Sequence, residues 1–189
     1  MTDRAEHPLL FLDVDGTLLP YDGVRLPSTP EGWQAWQHTS NPHLARIDLA
    51  HGPRLLALPC VLIWATAWMH DANRVIGPLL GLPELPVAGL PEAPEENEVG
   101  VPHWKIRTLV RAAAGRPFVW VDDEITELDR TWVATHHRGP ALLHRVDSAF
   151  GLTDADLAVV EDWLRSLSTQ FQENLAGDVE NPRPAPSPW

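Results

Sequence analysis

Two aspartates one residue apart, Asp13 and Asp15, stand between the apolar run Leu9 to Leu12 and Gly16. A carboxylate can attack phosphorus and form an aspartyl-phosphate, which divides one difficult displacement into two easier ones. A second carboxylate can protonate the leaving oxygen and later deprotonate the attacking water. Three further places carry residues of complementary kinds: Thr66, Lys105, and the pair Asp122 and Asp123. Thr66 can donate to a phosphoryl oxygen, and Lys105 can neutralise charge on a phosphate and on Asp13. The remaining acids suit Mg2+, a hard cation that takes oxygen ligands and relieves carboxylate repulsion. Together these residue types describe phosphoryl transfer.

Such a set works only if a scaffold gathers it. Leu9 to Leu12 form a short continuous apolar run stopped by a Gly-Thr turn signal, the pattern of a strand covered on both faces. Asp13 then lies at the carboxyl end of a strand, where open α/β sheets bind ligands. Gly16 lets the chain turn there, so that both acids can face one phosphate. "CVLIWAT" reads as a second strand ending at Thr66, "ELPVAGL" as a proline-limited edge strand, "FVWVDDE" as a fourth ending in Asp122 and Asp123, and "PALLHRV" as a fifth.

Helical patterns fall between them. "NPHLARIDLAHGPRLLALP" suggests a helix interrupted or ended near Gly52 and Pro53, and "DANRVIGPLLGLP" one broken by Gly77 and Pro78. "PHWKIRTLVRAAAGRP" gives the clearest helix, opened by Pro102, stopped by Gly115 and carrying Lys105 near its start. "TELDRTWVATHH" and "GLTDADLAVVEDWLRSL" follow, the latter capped by Thr153. Strands alternating with helices predict an α/β fold: a Rossmann-like, doubly wound parallel sheet of about five strands with helices on both faces.

The 189 residues are 44% hydrophobic and 21% charged, enough for one buried core, which the pattern assigns to residues 1–169. Within it, 20–58 supply a flap, beginning in the turn-rich "YDGVRLPSTPEGWQAW", and a core helix; Pro91 to Gly100 is an acidic loop. Residues 170–189, ending in "NPRPAPSPW", read as a disordered tail. A net charge of -12 opposes broad electrostatic attachment to nucleic acid or to an anionic membrane. A single cysteine, Cys60, excludes an intramolecular disulfide and fits a reducing compartment. "MTDRAEHP" offers no cleavable apolar segment, and Leu55 to Met69 is interrupted by Pro59, so a cytoplasmic protein without a membrane span is expected.

Of nine tryptophans, Trp64, Trp68, Trp104 and Trp120 flank the polar sites, and core packing is the expectation for them, with Trp68 and Trp33 the candidates for stacking on a base. The histidines form no helical pair at metal spacing, "HH" at 136 and 137 reads as a solvated helix end, and zinc is not expected. Arg74 and Arg107 read as surface residues with reach to a substrate.

Asp13-Val14-Asp15-Gly16-Thr17 resembles the first motif of the haloacid dehalogenase (HAD) superfamily in its phosphatase form, and Thr66, Lys105 and Asp122-Asp123 resemble the second, third and fourth motifs in the family's order. The resemblance implies Asp13 as nucleophile and Asp15 as acid/base. It implies Mg2+ held by the side chains of Asp13 and Asp122, the Asp15 carbonyl and waters, with Asp123 ligating directly or through an intermediary. An acid at position 15 separates the chain from dehalogenases proper and from transport ATPases. Large mobile caps are inserted after the first motif or after the third strand; here the first gap is about 40 residues and the second shorter, which implies a capless or small-cap enzyme with an open site. The chain is also similar to HAD-like domains associated with RNA repair proteins. The substrate would then be a phosphorylated small molecule or a nucleic acid end, with a polynucleotide phosphatase as the alternative to a general phosphomonoester hydrolase. A non-catalytic phosphoacceptor or binding domain is the remaining alternative; in receiver domains the acidic pair comes first, whereas here it comes last.

Overall fold

The computed structural model describes residues 7–91 and 100–180, with side chains through residue 169. Four strands, β1 (Leu9–Leu12), β2 (Val61–Trp64), β3 (Phe118–Asp122) and β4 (Ala141–Arg145), form a parallel sheet in the order β2-β1-β3-β4. The chain steps outward from β1 to β2 and then returns to the other side of β1. That reversal places the topological switch point beside β1, where ligands bind in such sheets.

Burial follows strand alternation. Leu10 and Leu12 of β1, with Val119 and Val121 of β3, join one core cluster; Leu9 and Phe11, with Phe118 and Trp120, join the other. The first cluster is completed by Leu55 of α2 (His51–Ala57) and by Leu157, Val160 and Leu164 of α6 (Asp154–Glu180). The second is completed by Ile106, Leu109 and Ala113 of α4 (Ile106–Ala113) and Val133 of α5 (Glu127–His136). Helices therefore cover both faces of the sheet, as expected of a doubly wound α/β fold.

The expected edge strand in "ELPVAGL" is reduced to one bridge, Trp64 to Val87, with Trp64 N–H donating to Pro86 O at 2.9 Å and Ala88 N–H to Trp64 O at 2.8 Å. Pro83, Pro86 and Pro91 cannot donate, so the segment cannot extend its ladder. Gly52 and Pro53 do not interrupt a helix but lie in the first turn of α2. A Cβ on Gly52 would fall 1.8 Å from Leu80 O, so the glycine is what allows α2 to touch α3 (Gly77–Leu80). Nor do Gly77 and Pro78 break the path; a π-helical turn over Ala72–Ile76 passes directly into α3, because proline is accommodated in a first helical turn.

The 20–58 segment is less loop-like than its composition. It contains α1 (Pro30–Trp36), capped by Thr29, and a 3-10 turn over Pro42–Arg46. Helix α4 starts at Ile106 rather than near Pro102, and it ends at Ala113, capped by Ala114 in the left-handed region, one residue before Gly115. Helix α6 begins with Thr153 and Asp156 bonding each other's backbone N–H and continues to Glu180, past the expected end at Leu167 and into the stretch read as a tail. The proline-rich 181–189 lie outside the described residues, as does most of the acidic loop, 92–99. Among the described residues no helix is long and apolar enough to cross a membrane.

Candidate active site

The pairing of β1 with β3, Leu12 opposite Val121, continues one step through Asp13 N–H to Val121 O at 3.2 Å and brings Asp13 beside Asp122. Both residues fall on the face covered by α4, since each is two residues beyond a member of that cluster, Phe11 and Trp120. Two buried carboxylates on neighbouring strands require a cation between them. Lys105, immediately before α4, supplies it: Nζ donates to Asp13 Oδ1 at 2.6 Å and to Asp122 Oδ2 at 2.7 Å. Trp120 Nε1–H donates to Asp122 Oδ2 at 3.1 Å, and Glu124 N–H to Asp122 Oδ1 at 3.0 Å.

Burial drives Asp13 well above the usual carboxylate range; Lys105 opposes this, while Asp122, Asp15 and Asp123 add to it. Burial would lower Lys105, but Asp122 and Asp13 outweigh it and hold the ammonium above its ordinary value. Asp123 is pushed up to about 6 by burial, opposed by its bond from Tyr21 and reinforced by Asp122 and Glu124. That bond, Tyr21 Oη–H to Asp123 Oδ2, is 2.7 Å.

Asp15 faces a different environment. Its Oδ1 accepts from Trp36 Nε1–H at 2.7 Å and its Oδ2 from Trp68 Nε1–H at 2.9 Å, with no lysine or arginine among the described residues bonded to it. Burial lifts it to about 6, opposed by the two indoles and by Lys105. Thr66 follows β2 and is fully buried; its Oγ1 accepts from Trp68 N–H at 3.3 Å, a bond that does not use its own proton. Asp13, Lys105, Asp122 and Asp123 are therefore brought together, with Asp15 and Thr66 on the adjoining loops.

One ligand oxygen from each of Asp13, Asp122 and Asp123 lies within 4.8 Å of the others. Three carboxylates against one lysine make a hard-oxygen, electron-rich donor set that fits Mg2+. The Asp15 carboxylate is not in that group, which leaves its backbone carbonyl as its only route to a metal there. His103, Asp122 and Glu124 form a second group at the same spacing, yet Nε2 of His103 already bonds Glu124 at 2.9 Å and Nδ1 accepts from Lys105 N–H at 3.3 Å.

A model of the HAD domain in Swiss Army Knife RNA repair proteins matches residues 9–157. The chain belongs to this HAD family. No curated protein and no solved structure matches it. Within the HAD domain, a groove of about 750 Å³ runs past Trp68 along Met69, His70, Asp71, Asn73 and Arg74. Arg74 is ion-paired with Asp71, and Arg107 lies over the Trp132 ring at 5.8 Å.

Two expectations are corrected. Trp68 is only 1% exposed, so it cannot stack on a base; its indole is turned to Asp15 instead. His137 is buried rather than solvated, bonding Arg116 O at 3.0 Å and meeting the edge of Phe118, whereas His136 is exposed and stacked on Trp132. Three contributors to the site carried no sequence signal as such: Trp36, Tyr21 and His103. Only the proximity of Trp68 to Thr66 hinted at the indole pair.

Proposed function

We propose that this HAD domain is a Mg2+-dependent phosphomonoester hydrolase that works through an aspartyl-phosphate on Asp13, with a phosphate-bearing nucleic acid end as its substrate class. The observation that carries this reading is the separation of roles at the end of β1: Lys105 joins Asp13 to Asp122, while the carboxyl of Asp15, two residues on, is bonded by two neutral indoles. Carboxyl groups whose surroundings differ in this way suit nucleophile and proton carrier respectively.

Asp13 would attack phosphorus as the bond to the leaving oxygen breaks, and Asp15 would give that oxygen its proton. Asp15, now a carboxylate, would then take a proton from water as the water oxygen bonds phosphorus and the bond to Asp13 breaks, releasing phosphate and restoring both acids. Lys105 holds Asp13 in place and offsets its charge, and the Thr66 hydroxyl is available to a phosphoryl oxygen. Mg2+, held by Asp13, Asp122, Asp123 and the Asp15 carbonyl, would supply charge compensation for the phosphoryl group.

Membership of a family of RNA repair HAD domains supports the nucleic acid end, and the net charge of -12 favours recognition of an end over broad binding along a backbone. The test is a panel of aryl phosphate, small sugar phosphates and oligonucleotides phosphorylated at either end, each with Mg2+ and with chelator. Turnover that is lost in chelator and highest on an oligonucleotide is expected. Full activity in chelator, or phosphate retained on the protein without release, contradicts the reading.

A further inference from the structure

Buried indoles need an acceptor for their N–H, and a backbone carbonyl would serve at far lower cost than a desolvated carboxylate. Here two indoles converge on one carboxyl group, one on each oxygen. Trp36 and Trp68 reach it from separate segments, the end of α1 and the loop after β2, and the segments are fastened together. Gln37 Nε2 joins them by donating to Ala67 O at 3.2 Å; within the first segment Asn41 Nδ2 donates to Trp36 O at 2.8 Å and the Trp36 ring rests on His43 with centroids 5.1 Å apart. Both rings are buried, Trp36 at 7% and Trp68 at 1% exposure.

We infer that Trp36 and Trp68 are positioning residues that fix the plane of the Asp15 carboxyl for proton transfer, and that α1 thereby completes the site. The inference rests on the phosphatase reading above. Indole N–H is a donor only and exchanges no proton with the substrate, so the pair cannot replace Asp15 chemically. Two bonds, one to each oxygen, suppress rotation about the terminal torsion, which is otherwise broad for aspartate. The carboxyl keeps a lone pair on each oxygen, so it can carry a proton or receive one without releasing either indole. In the first half-reaction the Asp15 proton passes to the leaving oxygen as the P–O bond breaks and the Asp13–P bond forms; in the second, water returns it. Misorientation of Asp15 therefore harms substrates in proportion to their need for that proton.

The test compares kcat/KM, which reports through formation of the aspartyl-phosphate, for an alkyl phosphate and for a nitrophenyl phosphate whose leaving group needs little protonation. Trp36→Phe keeps an aromatic ring and removes the N–H. It should lower the alkyl-to-aryl ratio of kcat/KM by roughly 10-fold or more, in the direction of Asp15→Asn but less far. Should the melting transition show that Trp36→Phe does not fold, 3-benzothienylalanine at position 36, which replaces the N–H by sulfur at nearly constant shape, carries the same comparison. An unchanged ratio in a folded variant, with both substrates slowed alike or neither slowed, overturns the inference and leaves the phosphatase reading standing. Wild-type protein that turns over neither substrate removes the phosphatase reading and this inference with it.

Discussion

Gly16 lies against the carboxyl group of Asp123: a Cβ at position 16 would fall 2.4 Å from Asp123 Cγ and 2.5 Å from Oδ2. The same residue has φ 72°, a region that side chains other than glycine's strain to enter. Turn geometry and the approach of a site acid thus both depend on one missing methyl group.

Gly16→Ala should therefore cost about 1–2 kcal/mol for the left-handed backbone alone, before Asp123 is displaced. Denaturant unfolding checks the stability, and calorimetric titration with Mg2+ checks the acid, whose displacement should weaken binding. Unchanged stability together with unchanged affinity would contradict the contact.

Lys105 is the cation between two buried carboxylates, so removing it leaves both without the positive charge that pairs them. Lys105→Met should destabilise the fold by about 3–5 kcal/mol in the absence of divalent cation, the usual cost of breaking a buried pair from one side. Added Mg2+ should raise the melting temperature of the variant by more than that of the wild type, since the acids it leaves have more charge to offset. Equal shifts in the two proteins would show that the acids do not share a cation site.

Asp156 ties the start of α6 to β4, accepting from Thr153 N–H at 2.8 Å and bonding His144 Nε2 at 2.7 Å. Burial would raise its carboxyl, but the bonds from Thr153 and His144 outweigh burial and hold it below the usual range. A carboxyl depressed by folding binds fewer protons folded than unfolded, so its contribution is present above an ordinary carboxylate pKa of about 4 and is lost as pH falls through the folded value. Asp156→Asn should be less stable than wild type at neutral pH, and the gap should close as pH falls below about 4. A gap independent of pH would exclude the charge as its cause.

The site acids were legible because each follows an apolar run at a strand exit, and a motif that joins a buried strand to a turn is written in consecutive residues. Strand alternation also fixes which face Asp13 and Asp122 share, and Lys105 meets them there from its place just before one helix. What composition concealed depends on contacts distant in sequence. The turn-rich 21–36 stretch reads as loop, yet Thr29 caps a helix within it that carries Trp36 to Asp15, 21 positions away. Gly52 and Pro53 read as helix breakers, but the glycine answers to Leu80 O and the proline to a first-turn position. The expected edge strand failed on its missing donors, which reduce it to a single bridge.

The most direct measurement is the trapping of phosphoenzyme after brief exposure to labelled aryl phosphate with Mg2+, in wild type, Asp13→Asn and Asp15→Asn. Asp15→Asn keeps the attacking carboxylate and loses the acid and base, so it should accumulate label from this activated substrate and release it slowly. Asp13→Asn should carry none. Label on the Asp13→Asn protein equal to that on the wild type would contradict the account, because the carboxylate that Lys105 joins to Asp122 would then not be the nucleophile.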